Sequence, residues 1–179
     1  VVVDEAYVDF GSESAVGLIE KYDNLIVVQT MSKSRSLAGG RVGFAFASAP
    51  LIADLNAVKF SFNPYNLNRL SLIAAEKALL DTAYFKKSVK QIIENREFTS
   101  RELKKSGFRV LPSSANFILA ETDKMSGEEL YLALKARGIL VRHLKDERIR
   151  NFVRITIGSA EQMKIFINTI NEIIKEENA

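Results

Sequence analysis

The sequence predicts an α/β protein in two parts. The first is the remnant of a mostly parallel large-domain sheet with flanking helices, and the second is a small C-terminal α/β domain. Three observations carry this reading. The runs Val1-Val2-Val3-Asp4 and Leu25-Ile26-Val27-Val28 are largely apolar and rich in β-branched residues, short and separated by enough chain to cross back over a sheet, the pattern of a β-α-β unit. Residues 67–105 carry helical periodicity. After Gly107, short strands and helices alternate in the order ββαββα. The domain boundary is placed along the long helix at about 83–105, giving parts 1–84 and 85–179.

Taken in order, Val1–Asp4 reads as a buried strand already under way, as expected for a fragment of a longer chain. Gly11-Ser12 marks a turn, Ala15 to Tyr22 a short helix, and Asp23-Asn24 a break before the strand Leu25–Gln29. A right-handed crossover would set the carboxyl ends of both strands at one sheet edge, so that Asp4 and Lys33 face one cleft. Val42–Ala47 is a third core strand, and Pro50 opens a helix to about Val58. The Asn63-Pro64 turn follows, with Phe62 and Tyr65 beside it. The helix Leu67–Leu80 places Leu67, Leu70, Ile73, Ala74 and Ala78 on one stripe; the next, Ala83–Lys105, turns Phe85, Val89, Ile92, Ile93 and Phe98 inward. Gly107 stops it after Lys104-Lys105, whose charges suit the negative helix end. Strands are expected at Phe108–Leu111, Asn116–Glu121, Ile139–Arg142 and Phe152–Ile157. Capping boxes at Ser126–Glu129 and Ser159–Gln162 open the two remaining helices. His143, Arg148 and Arg150 are assigned to a loop.

Composition narrows the function. The net charge of +3 over 179 residues is modest, and basic residues often neighbour acidic ones, as in Lys145-Asp146-Glu147-Arg148. Small anionic ligands fit that distribution better than nucleic acid. The lack of cysteine and the single histidine exclude disulfides and thiolate sites and argue against a metal centre. No stretch resembles a signal peptide or a membrane span, so the chain reads as cytoplasmic.

Chemistry concentrates in Thr30–Arg41, reading TMSKSRSLAGGR. The hydroxyls of Thr30, Ser32, Ser34 and Ser36 can donate to an anion, Gly39-Gly40 lets backbone come close to a ligand, and Arg41 can grip phosphate through two parallel hydrogen bonds. Lys33, held among them, can condense with an aldehyde. Ser32-Lys33 alone would also suit a lysine-assisted serine hydrolase, but the companion motifs of that class are absent. Gly39-Gly40-Arg41 lacks the spacing of a phosphate-binding P-loop. On the outward side of the last strand's alternation, opposite Val153, Ile155 and Ile157, stand Arg154 and Thr156, and an arginine on the ligand side of a core strand calls for an anion.

Asp4-Glu5-Ala6-Tyr7, then Thr30-Met31-Ser32-Lys33 with Arg41 eight residues beyond the lysine, resemble the fold-type-I pyridoxal-phosphate aminotransferases. Asn116-Phe117-Ile118, Val141-Arg142-His143 and Val153–Gly158 sharpen the resemblance toward the histidinol-phosphate aminotransferases. The resemblance covers the whole chain in order. It implies pyridoxal 5'-phosphate as cofactor, with Lys33 as the Schiff-base lysine and Asp4 as a buried carboxylate beside the pyridine nitrogen. Tyr7 would bond the ring oxygen, and Thr30, Ser32 and Arg41 the phosphate. Arg154 would hold a substrate carboxylate, Arg142 would join it around the phosphate of histidinol phosphate, and Asn116 would approach the substrate or hold its strand's turn. Asp4 alone would read as a turn cap, Tyr7 as packing, and Thr30 and Ser32 as turn formers. The resemblance further implies small-molecule substrates, an amino phosphate and 2-oxoglutarate, and a homodimer in which the Asn63-Pro64 loop could line a partner's site. Threonine-phosphate decarboxylases, other amino-acid aminotransferases and non-catalytic aminotransferase-like domains of regulators share much of the pattern. The family's N-terminal half, with its inter-subunit arm and ring-stacking aromatic, has no counterpart here, so the isolated chain is expected to be catalytically silent.

Overall fold

The computed structural model describes residues 1–177. The chain divides into two compact units, Val1–Val89 and Lys90–Ala179.

The first unit holds a three-stranded sheet of β1 (Val2–Asp4), β2 (Ile26–Thr30) and β3 (Gly43–Ala47), in that spatial order. β1 and β2 pair in parallel with Asp4 opposite Val28, whereas β3 runs antiparallel to β2, with Gly43 opposite Thr30. The direction of β3 has a local cause. The chain between Thr30 and Gly43 is a tight excursion whose ends bond to each other, Met31 N donating to Val42 O at 3.1 Å, too short a path to cross over the sheet. A Cβ on Gly43 would meet the Gln29 carbonyl at 2.9 Å, so only glycine lets the two strands approach there. Val1–Asp4 is not the buried strand expected: Val2 and Asp4 are exposed, because β1 is an edge of the described sheet. Ala15–Leu18 is a 3-10 turn rather than a longer helix, opened by Ser14, whose Oγ accepts from Val16 N.

Helices α1 (Ala49–Phe62) and α2 (Arg69–Leu80) and the start of α3 (Thr82–Lys105) complete this unit. Its hydrophobic cluster is small: Met31, Val42 and Ala75 are buried, with Leu37, Phe44, Leu67 and Ala78 against them, and Phe10, Leu25 and Val27 are buried outside that cluster. α2 therefore buries Ser71 and Ala75, while Leu70 and Ile73 of the expected stripe stay exposed. α1 buries none of its residues although it is apolar nearly all round.

The second unit is built on a four-stranded sheet of β4 (Arg109–Val110), β5 (Phe117–Glu121), β7 (Val153–Thr156) and β6 (Arg142–His143), in that order and antiparallel throughout. Helices α4 (Gly127–Ala136) and α5 (Ala160–Glu177) pack with one face of it around a core including Leu103, Ile118, Leu130, Leu134, Val153, Ile155 and Ile170. Ser126 and Glu129 form the expected capping box, and Ser159 with Gln162 forms a second. Gly107 and Gly138 end their helices at φ of 86° and 77°. The strand expected at Ile139–Arg142 lies further on, at Arg142–His143, so His143 belongs to a strand and not to a loop.

Candidate active site

The candidate residues fall into two clusters, one in each unit. The first lies at the carboxyl ends of β1 and β2, which the parallel register sets at one sheet edge. Beyond Asp4 the chain is anchored by Glu5. Its amide donates to Val28 O at 2.8 Å, and its buried carboxylate accepts from Ser14 Oγ at 2.8 Å, Ala15 N at 2.5 Å and Gln29 Nε2 at 2.8 Å. Burial pushes the Glu5 pKa up, but the bonds from Ala15, Gln29 and Ser14 outweigh it and hold the carboxyl below its ordinary value. Asp4 is exposed rather than buried, and its Oδ1 accepts from Ala6 N at 2.9 Å. Asp4 thus shapes the turn that presents Tyr7, whose ring centroid lies 5.5 Å from Lys33 Nζ.

Lys33 sits three residues past β2 in a loop fixed on both sides. Before it, Thr30 Oγ1 accepts from Ser32 N at 3.1 Å and lies 2.9 Å from Ser32 Oγ, so the two hydroxyls form one polar knot and close a turn. After it, the buried Ser34 donates its hydroxyl to Asp9, and Arg35 donates to Ala78 O at 2.9 Å while its guanidinium carbon lies 3.5 Å from the Phe85 ring centroid. Ser36 and Arg41 are the non-glycine residues with left-handed φ, 55° and 54°, among the described residues. Both belong to the loop that carries Lys33, and such conformations persist where the surroundings over-determine them. Arg41 bonds Ala38 O at 3.2 Å and is otherwise exposed. An amine, a phenol, a hydroxyl pair, a carboxylate and a guanidinium are thus gathered along one sheet edge. That donor set matches an aromatic aldehyde bearing a ring nitrogen, a ring hydroxyl and a phosphate.

The second cluster lies on the sheet face away from the core of the second unit. Arg142 on β6 is directly opposite Arg154 on β7, and Leu119 on β5 is opposite Arg154 from the other side. Register partners share a face, so two like charges stand side by side where such pairs ordinarily disfavour the sheet. Arg154 is half-buried, with its guanidinium carbon 5.2 Å from the Phe117 ring centroid, and its Nε is buried with no hydrogen-bond partner. A buried donor left unpaired costs about 1–3 kcal/mol. An oxyanion beside these guanidiniums would offset the repulsion between the two like charges. Asn116 accepts through its main-chain oxygen from Ile157 N at 2.9 Å, which ties the start of β5 to the end of β7. His143, next to Arg142, stacks with Tyr131 at 6.4 Å between centroids, and its Nε2 lies 2.7 Å from Arg150 O. A carbonyl only accepts, so Nε2 carries the proton in this bond.

Several residues near these clusters were not foreseen from sequence. Glu5 hides inside the Asp4–Tyr7 motif. Ser34, read from sequence as a hydroxyl donor to an anion, is instead buried with its hydroxyl donated to Asp9, and Arg35 reaches Ala78, 43 positions away. On α3, Asn95, Arg96 and Thr99 are buried. The signal for these was present: Ile92, Arg96, Thr99 and Leu103 recur at spacings of four, three and four, so the arginine stands on the helix's inner stripe. Among the described residues no group of three or more histidines, cysteines and carboxylates could hold a metal ion, and no helix is long and apolar enough to cross a membrane.

The family model for class I and II aminotransferases matches residues 1–170. A histidinol-phosphate aminotransferase of Clostridium botulinum (strain Okra) is 48% identical over 176 residues, which are 98% of this chain and 50% of that protein. The crystal structure of the histidinol-phosphate aminotransferase from Clostridium acetobutylicum superposes with a TM-score of 0.89 at 31% identity, over 98% of this chain and 54% of the other. That of Sinorhizobium meliloti, in complex with pyridoxal-5'-phosphate, gives 0.84 at 26% identity, over 98% and 48%. The chain spans about half the length of the relatives it matches. With a family match that runs from its first strand into its last helix, this chain belongs to the class I and II aminotransferases.

Proposed function

We propose that this chain is about half of a homodimeric aminotransferase that moves an amino group between L-histidinol phosphate and 2-oxoglutarate, using pyridoxal 5'-phosphate. When bound, that cofactor supplies the aldehyde that takes up the amino group and the ring that delocalises the electron pair left on the substrate carbon. Lys33 would hold the cofactor through its Nζ and, as a free amine once substrate has bound, would serve as the base that takes the proton from the substrate carbon and as the acid that gives it back. Asp4 would pair with the ring nitrogen and keep it protonated, and the Tyr7 hydroxyl would bond the ring oxygen. Thr30, Ser32 and Arg41 would hold the phosphate.

The arginine pair carries the substrate assignment. Histidinol phosphate and 2-oxoglutarate have little in common except an oxyanion held at a distance from the reacting carbon. Arg154, with its unpaired buried Nε, and Arg142, directly opposite, offer a fixed cationic site for either. Asn116 approaches the substrate from the start of β5. The homodimer is supported by α1, which exposes apolar side chains on all sides, and by Phe62 and Tyr65 at 89% and 91% exposure beside the Asn63-Pro64 turn. The test is an assay of the complete protein with the cofactor, histidinol phosphate and 2-oxoglutarate. Glutamate formation is the expected result. Carbon dioxide release from a phosphorylated amino acid without glutamate formation would reassign the protein as a decarboxylase, and cofactor binding without either would make it a sensor.

A further inference from the structure

The polar residues buried on α3 have no place in the chemistry above, yet they hold the backbone around it. Arg96 is 5% exposed and Asn95 8%. Arg96 Nη1 donates to Ala115 O at 2.9 Å, immediately before Asn116. Asn95 Nδ2 donates to Gly158 O at 2.8 Å, two residues beyond the end of β7, the strand that carries Arg154. Between those anchored points, Asn116 O accepts from Ile157 N at 2.9 Å. The Ala115 amide in turn donates to Ser113 Oγ at 3.1 Å, and Ser113 Oγ donates to Phe117 O at 2.6 Å. Two neighbouring side chains of one helix thus fix the main chain at the start of β5 and just past the end of β7.

Burying a guanidinium is costly, and a hydrophobic residue would usually pack this stripe at least as well. Arg96 Nε and Nη2 lie 3.4 Å from Glu97 Oε1, an ion pair that offsets part of this cost and leaves Nη1 aimed at Ala115 O. We propose that Arg96 and Asn95 are positioning residues: together they latch the Ala115 and Gly158 carbonyls, and so fix the placement of Asn116 and the Arg154 strand for binding of substrate oxyanions. The inference rests on the reading of Arg154 as the oxyanion ligand. Because the latch acts on substrate binding and not on the reactive amine, its loss raises KM for both substrates while kcat changes little. A displacement of about 1 Å in a binding group is enough for an effect of roughly tenfold or more.

The experiment compares Arg96→Met, Arg96→Lys, Asn95→Ala and Arg154→Met in the complete protein, each by thermal unfolding, by cofactor titration followed in the visible absorption, and by KM and kcat for histidinol phosphate and 2-oxoglutarate. The expected result is a KM raised about tenfold or more for both substrates in Arg96→Met, a smaller rise in Asn95→Ala, and an unchanged cofactor titration. Lysine keeps the charge but not the fork, so Arg96→Lys recovers part of the loss. If Arg96→Met fails to fold, Asn95→Ala and Arg96→Lys carry the comparison, since each retains most of the buried contacts. A lowered Tm with KM unchanged in the folded variants, while Arg154→Met raises KM, would overturn the latch. An unchanged KM in Arg154→Met would overturn the substrate-site reading on which the latch depends.

Discussion

Lys33 and Glu5 show how differently two charged residues of one motif-rich unit are used. Lys33 is exposed, on a loop whose neighbours Ser34 and Arg35 are tied down and whose backbone turns left-handed at Ser36 and Arg41. A mobile surface lysine would need none of that. Replacing Lys33 with alanine in the complete protein is expected to lower kcat by on the order of 10²–10⁴, with the arginine-dependent substrate affinity retained; a steady-state comparison checks both. Glu5 is instead a fixed anion. Its folded-state pKa lies below the ordinary value, so its contribution to stability is present above the unfolded pKa and is lost as the pH falls through the folded one. Glu5→Gln should therefore cost about 1–3 kcal/mol at neutral pH, and the difference from the parent should shrink on acidification below the usual carboxylate range. Urea unfolding at a series of pH values measures it. The sequence pointed to Asp4, Tyr7 and Lys33 because their spacing is distinctive. It could not show that Asp4 is exposed and Glu5 buried, since adjacent carboxylates differ only in what the fold brings to them.

Among the elements, β7 was the most legible and α3 the least. The period of two in Val153–Ile157 separates buried from outward residues, and the structure buries Val153, Ile155 and Ile157 while leaving Arg154 half-buried and Thr156 exposed. That Arg142 stands opposite Arg154 was not legible, because register depends on where β6 begins and the strand lies later than the apolar run Ile139–Val141 suggests. On α3 the expected inward set was apolar, whereas the buried set includes Asn95, Arg96 and Thr99, whose carbonyl partners lie up to 63 positions away. At the start of α4, a Cβ on Gly127 would meet Arg150 O at 2.6 Å and Asn151 O at 2.8 Å, so helix and loop backbones touch there. Gly127→Ala is expected to destabilise the protein by about 1–3 kcal/mol through overpacking. Ser126→Ala, which removes one half of the capping box, should cost about 1 kcal/mol. Denaturant titration of both variants would rank them, and a neutral Gly127→Ala would mean that the loop can shift freely.

For the molecule as a whole, the two units differ in how far they satisfy themselves. The second buries a continuous core from all four of its strands' neighbourhoods and three helices, Leu103 on α3, Leu130 and Leu134 on α4 and Ile170 on α5 among them. The first buries three hydrophobic residues in its cluster and leaves α1 wholly without buried positions. An apolar surface of that extent is uncommon on a unit that stands alone. The α/β class and the order of elements were legible because hydrophobic periodicity is local. The antiparallel β3 and the exposure of α1 were not, since both depend on what the chain meets in space. If α1 lies at a subunit interface, Phe62→Glu with Tyr65→Glu in the complete protein should lower the mass seen by light scattering from dimer toward monomer. An unchanged dimer would place the interface elsewhere. The central claim is that Lys33 is the residue to which the cofactor attaches, and borohydride reduction of the cofactor-loaded complete protein tests it directly. After digestion and mass mapping, the added cofactor mass should lie on the peptide containing Lys33; its recovery on another lysine, or on none, would contradict the account.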